Sequence, residues 1–283
     1  MSDPGPRLPT TLICGTVRNG GAAFAATLQT IERLKGVFED TTVVIVTNDN
    51  TDGTDDVLAA WSADNPKHVV IRLDGIAAAY PERIDRLAAV RNFYLHYLRR
   101  QPADAFKMML VLDMDGPNVA LQPDAFLAAI NSVTVPWDGL FANQLRAYYD
   151  VYPLRHDTWS PDDCWERVAQ ANKGLFVKSM RKKKAINEFV YGRQVRIPPT
   201  EPLIRVRSAF GGLGLYLAGS LSNGWYASRL KNGTLVCDHV GLNTAMDQAG
   251  RALYIVPWLL NEAPEEHLRP SSGKAPQPGL FGR

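Results

Sequence analysis

Three cysteines in 283 residues, none in a Cys-x-x-Cys pair, leave the chain without the material for a disulfide framework or a thiolate zinc site. Cys14 and Cys237 sit in apolar runs and Cys164 beside Trp165, a pattern expected of a reducing, cytoplasmic compartment. No apolar stretch approaches the roughly 20 residues that cross a bilayer. Met1 to Thr10 is polar and proline-rich rather than a signal peptide or anchor, so at most peripheral membrane contact is expected. Charge of one sign is also missing: the formal net charge is +2, which marks no nucleic-acid partner. There is no internal repeat. No Gly-x-Gly-x-x-Gly follows the first apolar run, which removes the dinucleotide fingerprint of a dehydrogenase.

What is present is alternation. The apolar runs Thr11 to Val17, Val43 to Val46, His68 to Leu73 and Lys107 to Leu112 read as strands. Between them, residues at helical spacing run through Phe24, Leu28, Ile31 and Leu34, then Val57, Leu58 and Trp61, then Pro81 to Arg100. Strand and helix in turn predict an α/β domain with a mostly parallel twisted sheet flanked by helices. Ligands of such sheets bind at the carboxyl ends of the strands. The second half is less regular. Leu140 to Asn143 and Ala252 to Val256 read as strands, Gly241 to Gly250 as a short helix, and Ala209 to Ala218 is apolar and glycine-rich. The expected division is a ligand-binding half over 11–143 and a second half over 144–262 that completes the same sheet and builds a smaller lobe. Tails at 1–10 and 270–283 are expected to be disordered.

The sharpest chemical signal is Asp113-Met114-Asp115, directly after a buried strand and before Gly116-Pro117. As a solvated turn it would be unremarked. At a sheet end, two carboxylates suit a hard divalent ion such as Mn2+ or Mg2+ facing phosphate oxygens. Arg91 is the second signal. It lies seven and four residues from Ile84 and Leu87, and four and seven from Leu95 and Leu98, hence on the core-facing side of its helix. A guanidinium there needs a partner, either a core carboxylate or a ligand phosphate within reach of Arg91 and Arg86. Asn48 to Thr54 reads as an Asx-rich helix cap that can also grip a base or ribose, with Thr16, Val17 and Arg18 as the opposite wall. Cys237-Asp238-His239-Val240 pairs an acid with a histidine at a helix start, a source of a general base, a metal ligand, or simply a helix-end charge. His267 is a later candidate metal ligand. Trp137, Tyr148, Tyr149 and Trp159 are candidates for stacking on ligand rings, or for core. The run Arg181 to Lys184 reads as a solvated face, or as a holder of an acidic acceptor or an anionic membrane surface.

In order along the chain these segments resemble nucleotide-sugar glycosyltransferases of the GT-A fold, of the family 2-like and fungal capsule mannosyltransferase-like groups. Val17-Arg18-Asn19 looks like the family's first donor-site loop, and Asn50 to Thr54 with Leu58 and Trp61 is similar to its second. Glu82-Arg83-Ile84 through Leu87-Ala88 to Arg91-Asn92 looks like its "ER…LA..RN" helix, and Asp113-Met114-Asp115 matches its metal motif. Tyr149-Asp150 with Leu154-Arg155 is similar to a "YD.W.LR" segment, with Tyr152 where tryptophan is usual. Ser208 to Leu213 looks like the glycine-rich acceptor loop, and Cys237 to Val240 stands where an acidic Glu-Asp motif is usual, with His239 in its second position.

The resemblance implies a metal-dependent glycosyltransferase, of the hexosyltransferase class, moving a sugar from a nucleotide-diphosphate sugar to a glycan, lipid-linked or small-molecule acceptor. It implies Mn2+ or Mg2+ on Asp113 and Asp115, a donor site lined by Thr16, Arg18, Asn48, Arg91 and Asp113, and Asp238 as the base. With His239 on the metal instead, a retaining course becomes the alternative. Two other readings share the layout: a sugar nucleotidyltransferase, whose lysine-containing glycine loop Arg18-Asn19-Gly20-Gly21 lacks, and a nucleotide- or glycan-binding protein without turnover.

Overall fold

The computed structural model describes residues 5–172, 178–222 and 224–268. The elements in chain order are β1 (Thr11–Val17), α1 (Gly21–Leu34), β2 (Thr41–Thr47), α2 (Thr54–Ser62), β3 (His68–Arg72), α3 (Ile76–Ala79), α4 (Arg83–Arg100) and β4 (Met108–Asp113). Then follow α5 (Pro123–Asn131), β5 (Gly139–Gln144), α6 (Cys164–Ala171), α7 (Lys178–Phe189), β6 (Ile204–Arg205), β7 (Leu213–Leu217), α8 (Asp238–Gln248) and β8 (Leu253–Asn261). The strands form one sheet in the order β3-β2-β1-β4-β7-β5-β8-β6. Neighbours pair in parallel from β3 to β4 and between β5 and β8; β7 runs antiparallel to β4 and β5, and β6 antiparallel to β8.

The uninterrupted apolar runs have a direct cause. Successive strand side chains point to opposite faces, and here both faces are covered. Leu12 and Cys14, Val44 and Val46, Met109 and Val111 face the core under α4 and α8. Ile13, Val43, Ile45, Met108, Leu110 and Leu112 face the one formed with α1, α2 and α5. The smaller lobe is the α6–α7 hairpin with its own small core of Val151, Cys164, Val168, Ala185 and Val190. Asp163 starts it by accepting hydrogen bonds from the backbone N–H groups of Trp165 (2.9 Å) and Glu166 (3.0 Å), an N-cap. All three cysteines are free and buried.

Residues 5–10 depart from the expected disordered tail. Leu8 is buried and pairs with Phe38, its N–H donating to Val37 O at 2.9 Å. Burying a leucine is worth about 1.5–3 kcal/mol, a contribution that favours the ordered segment. Positions 1–4 and 270–283 lie outside the described residues. No helix among the described residues is long and apolar enough to cross a membrane.

β7 is the element that shapes the site. It enters between β4 and β5 from a turn at Gly211-Gly212, both with left-handed φ (+67° and +79°). A Cβ on Gly211 would stand 2.6 Å from Ala142 O, so the glycine-rich stretch is required by the close approach of two backbones. Because β7 is antiparallel, its start lies at the same sheet edge as the ends of β1, β4 and β5.

Candidate functional site

That edge opens into a cavity of about 780 Å3. Thr16 and Arg18 reach it from the end of β1, Asn48 from the end of β2, and Asp113 and Asp115 from the end of β4. Arg91 comes from α4, Asp238 and His239 from the first turn of α8, and His267 from beyond β8. These nine residues thus line one cavity, and so does Arg86, whose Nη1 donates to Tyr80 O at 2.8 Å.

The loops that carry them are fixed locally. Asn19, with φ +51°, donates its backbone N–H to Asn50 Oδ1 and accepts from Thr51 N–H, each at 2.8 Å, clasping the β1 and β2 loops together. Asp49 accepts from Gly75 N (2.6 Å) and Ala77 N (2.9 Å), so it is spent on positioning its loop. Met114 is buried against β1, where a Cβ on Gly15 would lie 2.4 Å from its Sδ. Burying the middle residue of Asp-Met-Asp leaves Asp113 half-buried and Asp115 exposed on the cavity side.

Arg91 is the electrostatic centre. Its Nη2 donates to Asp113 Oδ1 at 3.2 Å, and its Nε stands 2.9 Å from Asp238 Oδ2, an ion pair outside hydrogen-bond alignment. Its guanidinium also lies over the Phe210 ring at 5.3 Å, within cation–π range. Burial works against the Arg91 charge, yet the carboxylate of Asp238 holds its pKa above the ordinary value. The core-facing arginine read from helical spacing therefore meets a core carboxylate and a cavity carboxylate at once.

Negative charge remains in excess at the cavity floor. The Asp113 carboxyl is pushed up to about 6, chiefly by burial and then by the charge of Asp115, with Arg91 pulling the other way. Asp150, which lines the same cavity and accepts from Gly211 N at 2.9 Å, is pushed up to about 7 by burial and by Asp113. Carboxylates that resist ionising together are a fitting environment for a hard cation, which reverses that penalty.

His239 is buried beside Asp238 at the same cavity. Its ring stacks on Phe210 with centroids 3.8 Å apart and meets Tyr226 edge-on at 5.3 Å; burial and Arg91 keep it well below its usual pKa. Among the described residues no three His, Cys, Asp or Glu side chains are arranged to hold one ion. His267 stacks on Tyr149, ring centroids 5.8 Å apart. Of the aromatics expected to meet ligand rings only Tyr149 lines the cavity. Tyr148 and Trp159 pack edge-on in the core at 5.2 Å, and Trp137 packs against the opposite face of the sheet.

Sequence reasoning passed over three features. Asp150 was visible only as part of the Tyr149-Asp150 segment. Trp165 and Tyr152 reach the cavity from and beside the hairpin lobe. A buried carboxamide chain also supports the floor: Gln144 and Asn261 donate to Gly211 O at 3.0 and 2.8 Å, Asn118 to Gly212 O at 2.8 Å, and Asn261 to Asn118 Oδ1 at 3.0 Å. Its signal was polar amides closing apolar strands. Asp113 N–H donates to Gly212 O at 2.9 Å, so this chain fixes the backbone of the Asp-Met-Asp segment.

The chain has a GT-A-type fold. It is similar to the mannosyltransferase PcManGT from Pyrobaculum calidifontis in complex with GDP-Man and Mn2+, at 15% identity and a TM-score of 0.51, over 93% of this chain and 59% of that one. Weaker likenesses are to S. aureus TarS 1-349 (12% identity, TM-score 0.43, 89% of this chain and 59% of that one) and to glucosyl-3-phosphoglycerate synthase from Mycobacterium tuberculosis (10%, 0.40, 88% and 68%). This chain therefore spans 59% of the mannosyltransferase it resembles in fold. No protein-family model and no curated protein matches the sequence.

Proposed function

We propose that this protein is a metal-dependent glycosyltransferase moving a hexose from a nucleoside-diphosphate sugar to an acceptor hydroxyl. The observation that carries the reading is the meeting of Asp113, Asp115 and Arg91 with the β1 and β2 loops around one cavity at the strand ends. The GDP-Man and Mn2+ of the mannosyltransferase similar in fold agree with it. Asp115, with Asp113 behind it, would hold Mn2+ or Mg2+. Two protein carboxylates leave the remaining positions to diphosphate oxygens and water, the usual arrangement for a hard ion. Once bound, the ion neutralises the charge of the departing diphosphate. Thr16, Arg18 and Asn48 would hold the nucleoside side of the donor, and Arg91 keeps Asp113 ionised and aimed. The three free thiols suit the reducing, cytoplasmic compartment assigned to the reaction.

Two carboxylates compete for the acceptor proton. Asp238 is 2% exposed and committed to Arg91, so we assign it to holding that arginine. Asp150 lines the cavity with a single backbone donor, Gly211 N–H, and is the better placed proton acceptor. Asp150→Asn is expected to lower transfer by about 10²- to 10⁴-fold, the usual worth of a general base. Stabilisation of the variant by Mn2+ with nucleoside diphosphate should persist. Full activity in Asp150→Asn would return the role to Asp238.

The reading itself is tested by incubating the purified protein with GDP-, UDP-, CMP- and dTDP-sugars, with and without Mn2+, and following release of the nucleotide. Manganese-dependent release from at least one donor is expected. Pyrophosphate release from a nucleoside triphosphate plus sugar phosphate, with no donor turnover, would make it a nucleotidyltransferase. Tight donor binding without any turnover would make it a binding protein.

A further inference from the structure

The positive charge of this chain is concentrated in one place that the site does not use. Positions 178–184 hold five cations (Lys178, Arg181, Lys182, Lys183, Lys184) and no carboxylate, so with a total of +2 the rest of the chain carries 2 − 5 = −3. Arg181 to Lys184 are all exposed on α7. Many arginines elsewhere, among them Arg72, Arg91, Arg155, Arg193, Arg205 and Arg229, are ion-paired. None of Arg181, Lys182, Lys183 or Lys184 makes an ion pair among the described residues.

Beside them stands Met180, 72% exposed, more than any other large apolar side chain among the described residues. Cations alone would suit any polyanion. An unbranched apolar side chain held out among them suits an interface where the cations meet anionic headgroups and the thioether enters the acyl boundary. The same helix reaches the cavity wall at Ile186, with Val190 just past its end also lining it, and Trp165 of α6 is 43% exposed at that wall.

We propose that α7 docks the protein on an anionic lipid bilayer through Met180 and Arg181 to Lys184, with the cavity wall beside the membrane surface. The acceptor class that follows, a hydroxyl carried on a membrane lipid, rests on the glycosyltransferase reading; the docking does not.

The test is co-sedimentation of the full chain with vesicles of phosphatidylcholine alone and with phosphatidylserine added. Binding is expected only to the anionic vesicles, falling steeply with added salt. The variant R181Q/K182Q/K183Q/K184Q should lose on the order of a hundredfold or more in partitioning, since each cation near such a surface is worth several-fold. M180S should lose several-fold at every salt concentration. These side chains are exposed, so thermal melting of both variants should match the parent. Equal binding to neutral and anionic vesicles, or undiminished binding of the quadruple variant, overturns the proposal. So does tighter binding to duplex DNA that ignores M180S, which would make the face a general polyanion site. If donor turnover in solution fails while vesicle binding persists, the enzymatic reading falls and the docking stands.

Discussion

Replacing Arg91 with methionine should destabilise the protein by about 3–5 kcal/mol, the cost of leaving a buried carboxylate without its partner. Asp238 is 2% exposed, and Arg91 is the cation that meets it. With methionine in place, Asp238 must stay charged in an apolar setting, take up a proton, or draw water into the core. Asp113 also loses its hydrogen bond from Nη2. For a chain of this size the melting temperature should fall by about 10 °C. Lysine is expected to rescue little, because one ammonium does not reproduce contacts made by Nε to one carboxylate and Nη2 to another.

A double-mutant cycle separates the pair from the packing. Arg91→Met with Asp238→Asn removes both charges, and should recover roughly half or more of the loss from Arg91→Met alone. Additive costs would mean that the arginine acts through its stem on the Phe210 and Tyr226 rings, which its guanidinium approaches at 5.3 and 5.9 Å. A loss below about 1 kcal/mol in the single variant would contradict the ion-pair account outright.

Arg91 also shows what made parts of this protein readable in the sequence. Its position among Ile84, Leu87, Leu95 and Leu98 placed it on the buried face, because helical periodicity survives any tertiary detail. The parallel strands were equally legible: both faces are covered, so each appears as a run of apolar residues ending in a polar loop. Those ends located the cavity. What periodicity cannot carry is pairing between distant segments. The insertion of β7 between β4 and β5 rests on Leu213 to Leu217 finding partners over a hundred residues earlier in β4, and β6 is only two residues long. The α6–α7 hairpin gave little signal because its small core draws Val151 and Val190 from outside the helices. His239 is a candidate ligand in the sequence because its neighbour is an acid. Its burial under Phe210 is a tertiary fact with no local trace. Asp150 went unassigned for the matching reason, since its one partner, Gly211, lies sixty-one residues away.

Asp115→Ala should have the opposite signature to Arg91→Met: activity gone, fold untouched. Asp115 is exposed, and its charge is one of the causes that push the Asp113 carboxyl up to about 6. Removing it relieves like-charge repulsion at the cavity floor, so the melting temperature without ligand should hold or rise slightly. With ligand the order reverses. A nucleoside diphosphate and Mn2+ at about a hundred times their dissociation constant stabilise a binding protein by about 2.7 kcal/mol, which here means roughly 5–10 °C. Asp115→Ala should show almost none of this shift, because the ion loses its exposed carboxylate and the diphosphate loses the ion. Release of nucleotide from the donor that the parent turns over should drop to background with Mn2+ or Mg2+ present. Asp113→Ala differs in a way that separates the two aspartates: it removes a partner of Arg91 and should cost stability before any ligand is added. Thermal shift with and without Mn2+ and GDP or UDP, read beside nucleotide release, checks all of this on three proteins. Should Asp115→Ala keep its manganese-dependent shift, the metal sits elsewhere. Should it keep its turnover, the departing diphosphate is neutralised by cations of the chain, and Arg18, Arg83 and Arg86, which line the same cavity, become the groups to replace.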